Sequence, residues 1–202
     1  PGLCDGCWGE LPSATWPCGG CAVPMAGPFG RCRACRAGPP VFDGAVAAFL
    51  FSGPVRYLVR ELKFNGQVAV ASTLGHALGR AAREHGCGVD TCMAGHRPVV
   101  VPVPLHPRRW ASRGFNQAFE IARGVGKSLN APIRTDWVVR TRHTRAQSST
   151  LGRQDRLRNL RGAFQATTCG LRGQPVLLVD DVMTTGATLN EVAACLRAAG
   201  AG

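Results

Sequence analysis

The stretch VLLVDDVMTTGAT, residues 176–188, carries the strongest indication of fold in this chain of 202 residues. Four apolar residues, typical of a short buried strand, are followed by two aspartates and then by a turn rich in threonine and glycine. Directly after the turn, apolar residues recur at helical spacing, at Leu189, Val192, Ala193, Leu196 and Ala199. The stretch therefore predicts a strand, a loop and a helix in immediate succession.

The predicted loop offers groups that suit a phosphorylated sugar. Asp180 and Asp181 at the strand end can accept hydrogen bonds from a vicinal diol and lie near a hard divalent cation. The turn provides hydroxyls, backbone N–H groups and a helix N-terminus for a phosphate, and its glycine lets the backbone approach closely. Aspartate and threonine also cap helices, but capping does not explain both acids and the whole turn in this order. Diol and phosphate together predict a ribose 5-phosphate ligand, with the phosphate bound by Thr184, Thr185, Gly186, Ala187 and Thr188.

Strand and helix patterns alternate along the chain before this unit. Residues 41–51 have an extended pattern, residues 99–103 are a fully apolar run of strand type, and helical periodicity occurs at 52–66, 68–84 and 114–129. This alternation predicts an α/β fold, an open parallel sheet with helices on both faces. Such a sheet binds ligands at the carboxyl ends of its strands, so the loops after Val103 and Val179 are the expected functional loops.

Positive charge is concentrated in the middle of the sequence. Residues 96–172 contain 15 basic and 3 acidic residues, and 22 of the 24 basic residues of the whole chain are arginine, whose planar fork suits phosphate. The loop after residue 103 is a candidate clamp for pyrophosphate or for a nucleic-acid backbone, and residues 140–161 are a candidate basic hood over the site. The alternative is a set of solvated arginines around a rigid turn. The candidates in the loop are Pro104, Arg108, Arg109 and Arg113.

Six of the ten cysteines form three C-x2-C pairs, each separated from the next by ten residues. Two such pairs complete a tetrahedral Cys4 site of the kind that binds structural Zn2+. Disulfides are the competing interpretation, which the paired spacing disfavours. Because three pairs make one and a half sites, either one pair is idle or its partner precedes the first residue, and we expect the latter. The predicted metal ligands are Cys4, Cys7, Cys18, Cys21, Cys32 and Cys35.

The composition argues against a membrane protein and indicates two regions in the chain. No apolar run approaches the roughly 20 residues that cross a bilayer, so membrane insertion is not expected, and no secretory signal is visible, which favours the cytoplasm. We expect a cysteine-rich zinc ribbon over residues 1–38, truncated at its N-terminus. After a glycine-proline break, the α/β domain is expected over residues 41–202.

The stretch at 176–188 resembles the phosphoribosyl pyrophosphate (PRPP) motif of type I phosphoribosyltransferases. The resemblance implies that Asp180 and Asp181 hold the ribose hydroxyls as the catalytic acids, that the threonine-glycine turn binds the 5′-phosphate, and that PRPP enters with Mg2+.

A wider set of motifs resembles the ComF family, competence-associated proteins in which a double zinc ribbon precedes a phosphoribosyltransferase domain. The motifs occur in the family's order and cover nearly the whole chain. They are the three cysteine pairs, Leu62-Lys63-Phe64, residues 101–105 (VPVPL), residues 113–117 (RGFNQ), Gln147, and the pattern from Arg156 to Phe164. The family has a closing strand after its last helix, which we expect to be missing here.

The resemblance implies a link to DNA uptake and a partner helicase, and it leaves three functions open. The domain is a phosphoribosyltransferase, or a single-stranded DNA-binding accessory whose arginine-rich belt follows the nucleic-acid backbone, or a sensor that binds PRPP without turnover.

Overall fold

The computed structural model describes residues 3–28, 30–86, 97–142 and 160–202. The described helices are α1 (Asp5–Gly9), α2 (Arg33–Ala37), α3 (Gly53–Asn65), α4 (Val68–Glu84), α5 (Pro107–Arg113), α6 (Gln117–Leu129) and α7 (Ala187–Ala198). The described strands are β1 (Val99–Pro102), β2 (Val138–Arg140), β3 (Phe164–Ala166) and β4 (Val176–Val179).

Strands β1 and β4 pair in parallel, with Val99 opposite Val176 and Pro102 opposite Val179. Beyond the ladder, the N–H of Val103 donates to the carbonyl of Val179 over 2.9 Å. Because both strands run in the same direction, the loops that follow them leave from one edge of the sheet. The two loops that the sequence predicts to be functional therefore start side by side.

Helices cover both faces of this parallel pair. Val100 packs into a core formed with α3, α4 and α6, whereas its neighbours Val99 and Val101 pack into a second core that includes α7. Successive side chains of a strand point to opposite faces, so the four consecutive buried residues of β1 are explained by a helix layer on each side. The predicted α/β class, with helices on both faces of a parallel sheet, is confirmed.

Helices α4 and α6 make the closest helix contact of the described core, at two glycines. A Cβ atom placed on Gly75 would lie 2.4 Å from the carbonyl oxygen of Ile121, and one on Gly124 would lie 2.8 Å from the Cα of Gly75. The two backbones can approach this closely only because neither position carries a side chain. This crossing fixes the position of α6, and therefore also the position of the loop that leads into it.

Two further sequence predictions have different outcomes. Helix α3 ends where expected, at Gly66, whose φ of 64° lies in the left-handed region that glycine favours. The extended run expected at residues 41–51 forms no strand, and the chain there is irregular. The N–H of Leu50 instead donates to the carbonyl of Pro12 over 2.7 Å, which attaches the segment to the cysteine-rich part. Within the described ranges, no helix combines the length and apolarity needed to cross a bilayer.

Candidate functional site

The two adjacent aspartates directly follow β4, at its carboxyl end. The N–H of Asp181 donates to Oδ1 of Asp180 over 2.9 Å, so the first carboxylate is held by the backbone of the second residue. Burial and, secondarily, the charge of Asp181 raise the pKa of Asp180 to about 8 from its ordinary value of 3.8. Near neutral pH this shift favours the protonated form of Asp180, and a cation bound beside it would favour the charged form.

Asp181 has a partner that our site prediction missed. Its Oδ2 lies 2.7 Å from Nζ of Lys63 on α3, and the side chains are 12% and 24% exposed. The sequence carried one signal, since Lys63 is the central residue of the Leu62-Lys63-Phe64 motif and is one of only two lysines in the chain. The packing of α3 thus brings a cation from the first third of the sequence to the carboxylate pair.

The threonine turn leads into the N-terminus of α7 as the sequence predicts. Gly186 is the N-cap residue with φ 71°, and Oγ1 of Thr185 accepts from the N–H of Ala187 over 3.4 Å. Gly186 and Ala187 are buried and Thr184 is exposed. A concavity lined by residue 180 and residues 182–189 opens here, and the N–H groups of a helix's first turn suit an anion.

The loop after β1 lies next to this turn and is fixed by the buried Asn116. Its side-chain amide donates to the carbonyl of Val103, and its Oδ1 accepts from the N–H of Ala118, both over 3.0 Å. One side chain therefore caps α6 and anchors the start of the loop. Pro104 is half-buried within the loop, and α5 follows it with His106 as N-cap.

An arginine that was not among the predicted site residues, Arg140, lies near Asp180, and two of the predicted arginines continue outward from it. Arg140 on β2 is 9% exposed. Burial and the charge of Arg109 lower its pKa to about 10, while Asp180 opposes the shift. Burial, followed by the charge of Arg113, also lowers the pKa of Arg109. Arg109 therefore lies near both Arg113 and Arg140, whereas Arg108 is exposed at the start of α5.

The predicted basic hood is only partly described. Arg140, its first residue, is a buried strand residue rather than a surface one. Arg142 follows the strand, and its guanidinium donates to the carbonyl of Arg161 over 2.6 Å. Residues 143–159 lie outside the described residues, so most of the hood stays a prediction.

The second and third cysteine pairs come together at a separate site. The Sγ atoms of Cys18, Cys21, Cys32 and Cys35 lie within 4.8 Å of one another, and those of Cys21 and Cys32 are 3.7 Å apart. Sulfurs around a tetrahedral zinc with bonds of about 2.3 Å are separated by about 3.8 Å. The four thiolates therefore fit the geometry of a structural zinc site.

The thiols of this cluster have opposite pKa shifts. Burial alone would raise the pKa of Cys18, but backbone N–H groups, led by that of Cys32, outweigh it and lower the pKa to about 6. Burial and hydrogen bonds with the neighbouring thiols raise the pKa of Cys35 to about 12. Four clustered thiols cannot all ionise together, and a bound divalent metal removes this conflict.

The first cysteine pair does not join the four-sulfur cluster. Cys4 and Cys7 are both exposed, and they flank the start of α1, where Trp8 packs edge-on against Phe49 at 5.8 Å. The prediction left open which pairs share a metal, and the structure brings together the second and third. A metal role for the first pair stays a prediction.

A short linker connects the cysteine cluster to α7. The carbonyl of Asp43 accepts from Arg31, next to the third cysteine pair, and its carboxylate is bound by Arg197 of α7 over 2.8 Å. The N–H of Val41 donates to Oδ1 of Asn190 over 2.7 Å, and the ring of Phe42 would lie 3.6 Å from a Cβ on Gly186. The helix that carries the threonine turn is therefore braced by residues directly after the cluster.

Comparisons with known proteins agree with this architecture. The model of the phosphoribosyl transferase domain family matches residues 90–202. Competence protein F of Haemophilus influenzae is 33% identical over 202 residues, covering 98% of this chain and 86% of the relative. The DNA utilization protein YhgH of Escherichia coli K12 is 30% identical over 204 residues, covering 99% and 86%. Competence protein ComFC of Bacillus subtilis is 33% identical over 98 residues, covering 48% and 38%. No solved structure matches significantly.

Proposed function

This chain belongs to the competence protein F (ComF) family, and we propose that it binds PRPP or ribose 5-phosphate in the loop between β4 and α7. One observation carries the proposal. An adjacent carboxylate pair and a hydroxyl-rich helix N-terminus follow the single strand β4 without interruption, with Arg140 near Asp180 and Arg109 near Arg140. This arrangement supplies acceptors for a diol, donors for a phosphate and cations for a second anionic group.

Each group has a separate task in the proposed complex. Asp180 and Asp181 accept hydrogen bonds from the ribose hydroxyls, and the turn from Thr184 to Thr188 donates to the 5′-phosphate. Arg109 and Arg113 face the diphosphate. Mg2+, carried by PRPP, neutralises negative charge on that diphosphate. If transfer occurs, these cations stabilise the charge that builds on the leaving pyrophosphate as its bond to C1 breaks.

Titration calorimetry with PRPP and ribose 5-phosphate, in the presence of Mg2+, tests the binding. We expect measurable heat with the native chain and none with the double variant Asp180→Asn, Asp181→Asn. Pyrophosphate release is followed in the same samples. Release that depends on PRPP and on both aspartates supports a transferase, whereas binding without release supports a sensor. Absence of binding by the folded native chain rejects the proposal.

A second candidate function, binding of single-stranded DNA, is supported by an exposed aromatic surface next to the site. Arg56 lies 5.7 Å from the ring centroid of Phe51, and Arg113 lies 5.6 Å from that of Phe64. Aromatic rings interleaved with cations are the usual elements of sequence-independent binding to single strands. We call this surface the aromatic face. It consists of Phe51, Tyr57, Phe64 and Trp110, which are 44%, 63%, 70% and 51% exposed.

The names of the relatives, which refer to competence and DNA utilization, favour a role in DNA uptake and make this second candidate worth a direct test. We expect a labelled oligo(dT) to bind with an affinity that falls steeply as salt rises. The double variant Tyr57→Ala, Trp110→Ala should weaken binding. Trp16→Ala, which removes a ring that is 45% exposed in the cysteine-rich part, is the matched control. Equal loss in both variants rejects the aromatic face as the binding surface.

For the four clustered cysteines we propose a structural Zn2+ site. All four positions of a tetrahedral zinc would be filled by protein sulfur, which leaves none for a substrate. A partner helicase stays an expectation from the family resemblance.

A further inference from the structure

The turn from Thr184 to Thr188, the proposed phosphate site, contains a residue that cannot set its own conformation. Gly186, the N-cap of α7, has a φ of 71°, in the left-handed region. Glycine adopts positive and negative φ about equally readily, so a glycine alone does not keep a turn in one shape. The surroundings of Gly186 must therefore hold the conformation that leads into the first turn of α7.

Phe42 contacts this glycine from a distant part of the chain. A Cβ atom placed on Gly186 would lie 3.6 Å from Cζ and 3.9 Å from Cε1 of Phe42, and 3.8 Å from Sδ of Met183. These are ordinary van der Waals distances, so the ring closes the side of the turn on which the glycine has no side chain. Phe42 is half-buried there, whereas its neighbours Val41 and Asp43 are exposed.

Hydrogen bonds on both sides of Phe42 attach it to α7. The N–H of Val41 donates to Oδ1 of Asn190 over 2.7 Å. The guanidinium of Arg197 donates to both carboxylate oxygens of Asp43 over 2.8 Å. Asn190 and Arg197 are about two turns apart and therefore lie on one face of the helix. Because Phe42 stands between the two bonded residues, its ring is held at the start of α7.

We propose that Phe42 is a positioning residue for the proposed phosphate site. Its ring holds Gly186 in the conformation in which the first N–H groups of α7 meet the 5-phosphate, so the turn is ordered before the ligand arrives. The inference rests on the proposed function, because it takes the position of the 5-phosphate from there. It also extends the site, because Phe42 lies outside the matched domain at residues 90–202.

Calorimetry with Mg2+ on the full chain compares Phe42→Ala with the native protein. Without the ring, the backbone at residue 186 becomes ordered only when the ligand binds, which should weaken binding about 5- to 30-fold. PRPP and ribose 5-phosphate share the 5-phosphate, so both should lose affinity by the same factor. Phe42→Leu, which keeps part of the apolar bulk, should show a smaller loss, and it serves alone if Phe42→Ala does not fold.

Val41→Ala is the matched control in the same linker. The side chain of Val41 is exposed, and its bond to α7 is made by the backbone N–H, which the substitution keeps. The affinities for PRPP and ribose 5-phosphate should therefore equal those of the native chain.

Hydrogen exchange gives a second readout that needs no ligand. The N–H of Asn190 donates to the carbonyl of Gly186 over 2.8 Å, so its exchange rate reports whether the turn is held. In Phe42→Ala this amide should exchange faster than in the native chain. The amide of Val103, which donates to the carbonyl of Val179, should exchange at the native rate and show that the sheet is folded.

Four results overturn the inference and leave the proposed function standing. They are native affinity for both ligands in Phe42→Ala, a loss confined to one ligand, an equal loss in Val41→Ala, and native exchange at Asn190 in Phe42→Ala. If the native chain binds neither ligand, the proposed function fails and the inference fails with it.

Discussion

Arg140 lies over the ring of Phe164, 5.2 Å from its centroid, and the two residues are direct cross-strand partners on β2 and β3. The aromatic ring holds the guanidinium against the site in a largely dry environment. The antiparallel pair β2–β3 therefore does more than close the second core, because it presents a buried cation to the carboxylates.

Replacing Phe164 by leucine should cost about 1–2 kcal/mol of unfolding free energy, because the ring loses both its packing and its cation–π contact. Phe51→Leu is the control, since it removes an exposed ring under Arg56 and should cost less than about 0.5 kcal/mol. Urea denaturation measures both. Equal costs would show that burial of the Arg140 contact adds no stability.

The raised pKa of Asp180 predicts a pH dependence of stability. A carboxyl with a pKa of about 8 when folded and 3.8 when unfolded binds its proton more tightly in the folded state. The free energy of unfolding should therefore fall as pH rises from about 4 to about 8, with about 2 kcal/mol of this fall between pH 6 and 8. Asp180→Asn should remove that fall in urea denaturation.

Asp136→Asn controls for loss of a carboxylate as such. Hydrogen bonds from Arg134 lower the pKa of Asp136 below its ordinary value of 3.8, so its titration lies well below the window from pH 6 to 8. Its profile should run parallel to that of the native chain. An Asp180→Asn profile that also runs parallel contradicts the prediction.

The four-cysteine cluster predicts the loss of one equivalent of zinc in Cys32→Ser, measured by metal analysis of freshly purified protein. Cys169→Ser removes an exposed thiol outside the cluster and should retain all the zinc. Adding zinc to the reduced apoprotein should release protons, because the Cys35 thiol, with a pKa of about 12, must ionise to bind metal. Full zinc content in Cys32→Ser contradicts the assignment.

The helix crossing at Gly75 predicts that a single methyl group is destabilising. Gly75→Ala places a Cβ against the backbone of α6, which can be relieved only by moving a helix, and should cost about 1–3 kcal/mol. Gly38→Ala is the control, since its φ of −152° suits any residue and no atom lies within 4 Å of the added Cβ. If Gly75→Ala has the same free energy of unfolding as the native chain, the two helices can move apart without cost and the prediction is wrong.

Contiguous features were predictable from the sequence, and features made by packing were not. The strand, the acidic pair and the threonine turn follow one another along the chain, so local pattern and chemistry located them together. The contact between Lys63 and Asp181 depends on how α3 packs against β4, which no spacing encodes. Strands β2 and β3 have three residues each, too few for an alternating pattern to stand out.

The cysteines show the same limit in another form. The three pairs have identical internal spacing and equal separations, so counting ligands predicted a metal but not which pairs share it. The choice is made by the bend between Cys21 and Cys32, which brings their sulfurs to 3.7 Å. The three pairs are equivalent in sequence, and only the tertiary structure determines which two of them share a site.

The linker at residues 41–43 connects the cysteine cluster to α7. It is bound by Arg31 on one side and by Arg197 and Asn190 of α7 on the other. A cysteine cluster that loosens should therefore also loosen α7, whose first turn is the proposed phosphate site. Growth in metal-poor medium, or oxidation of the thiols, should therefore yield a chain whose sheet still folds but whose affinity for the proposed ribose phosphate is lower.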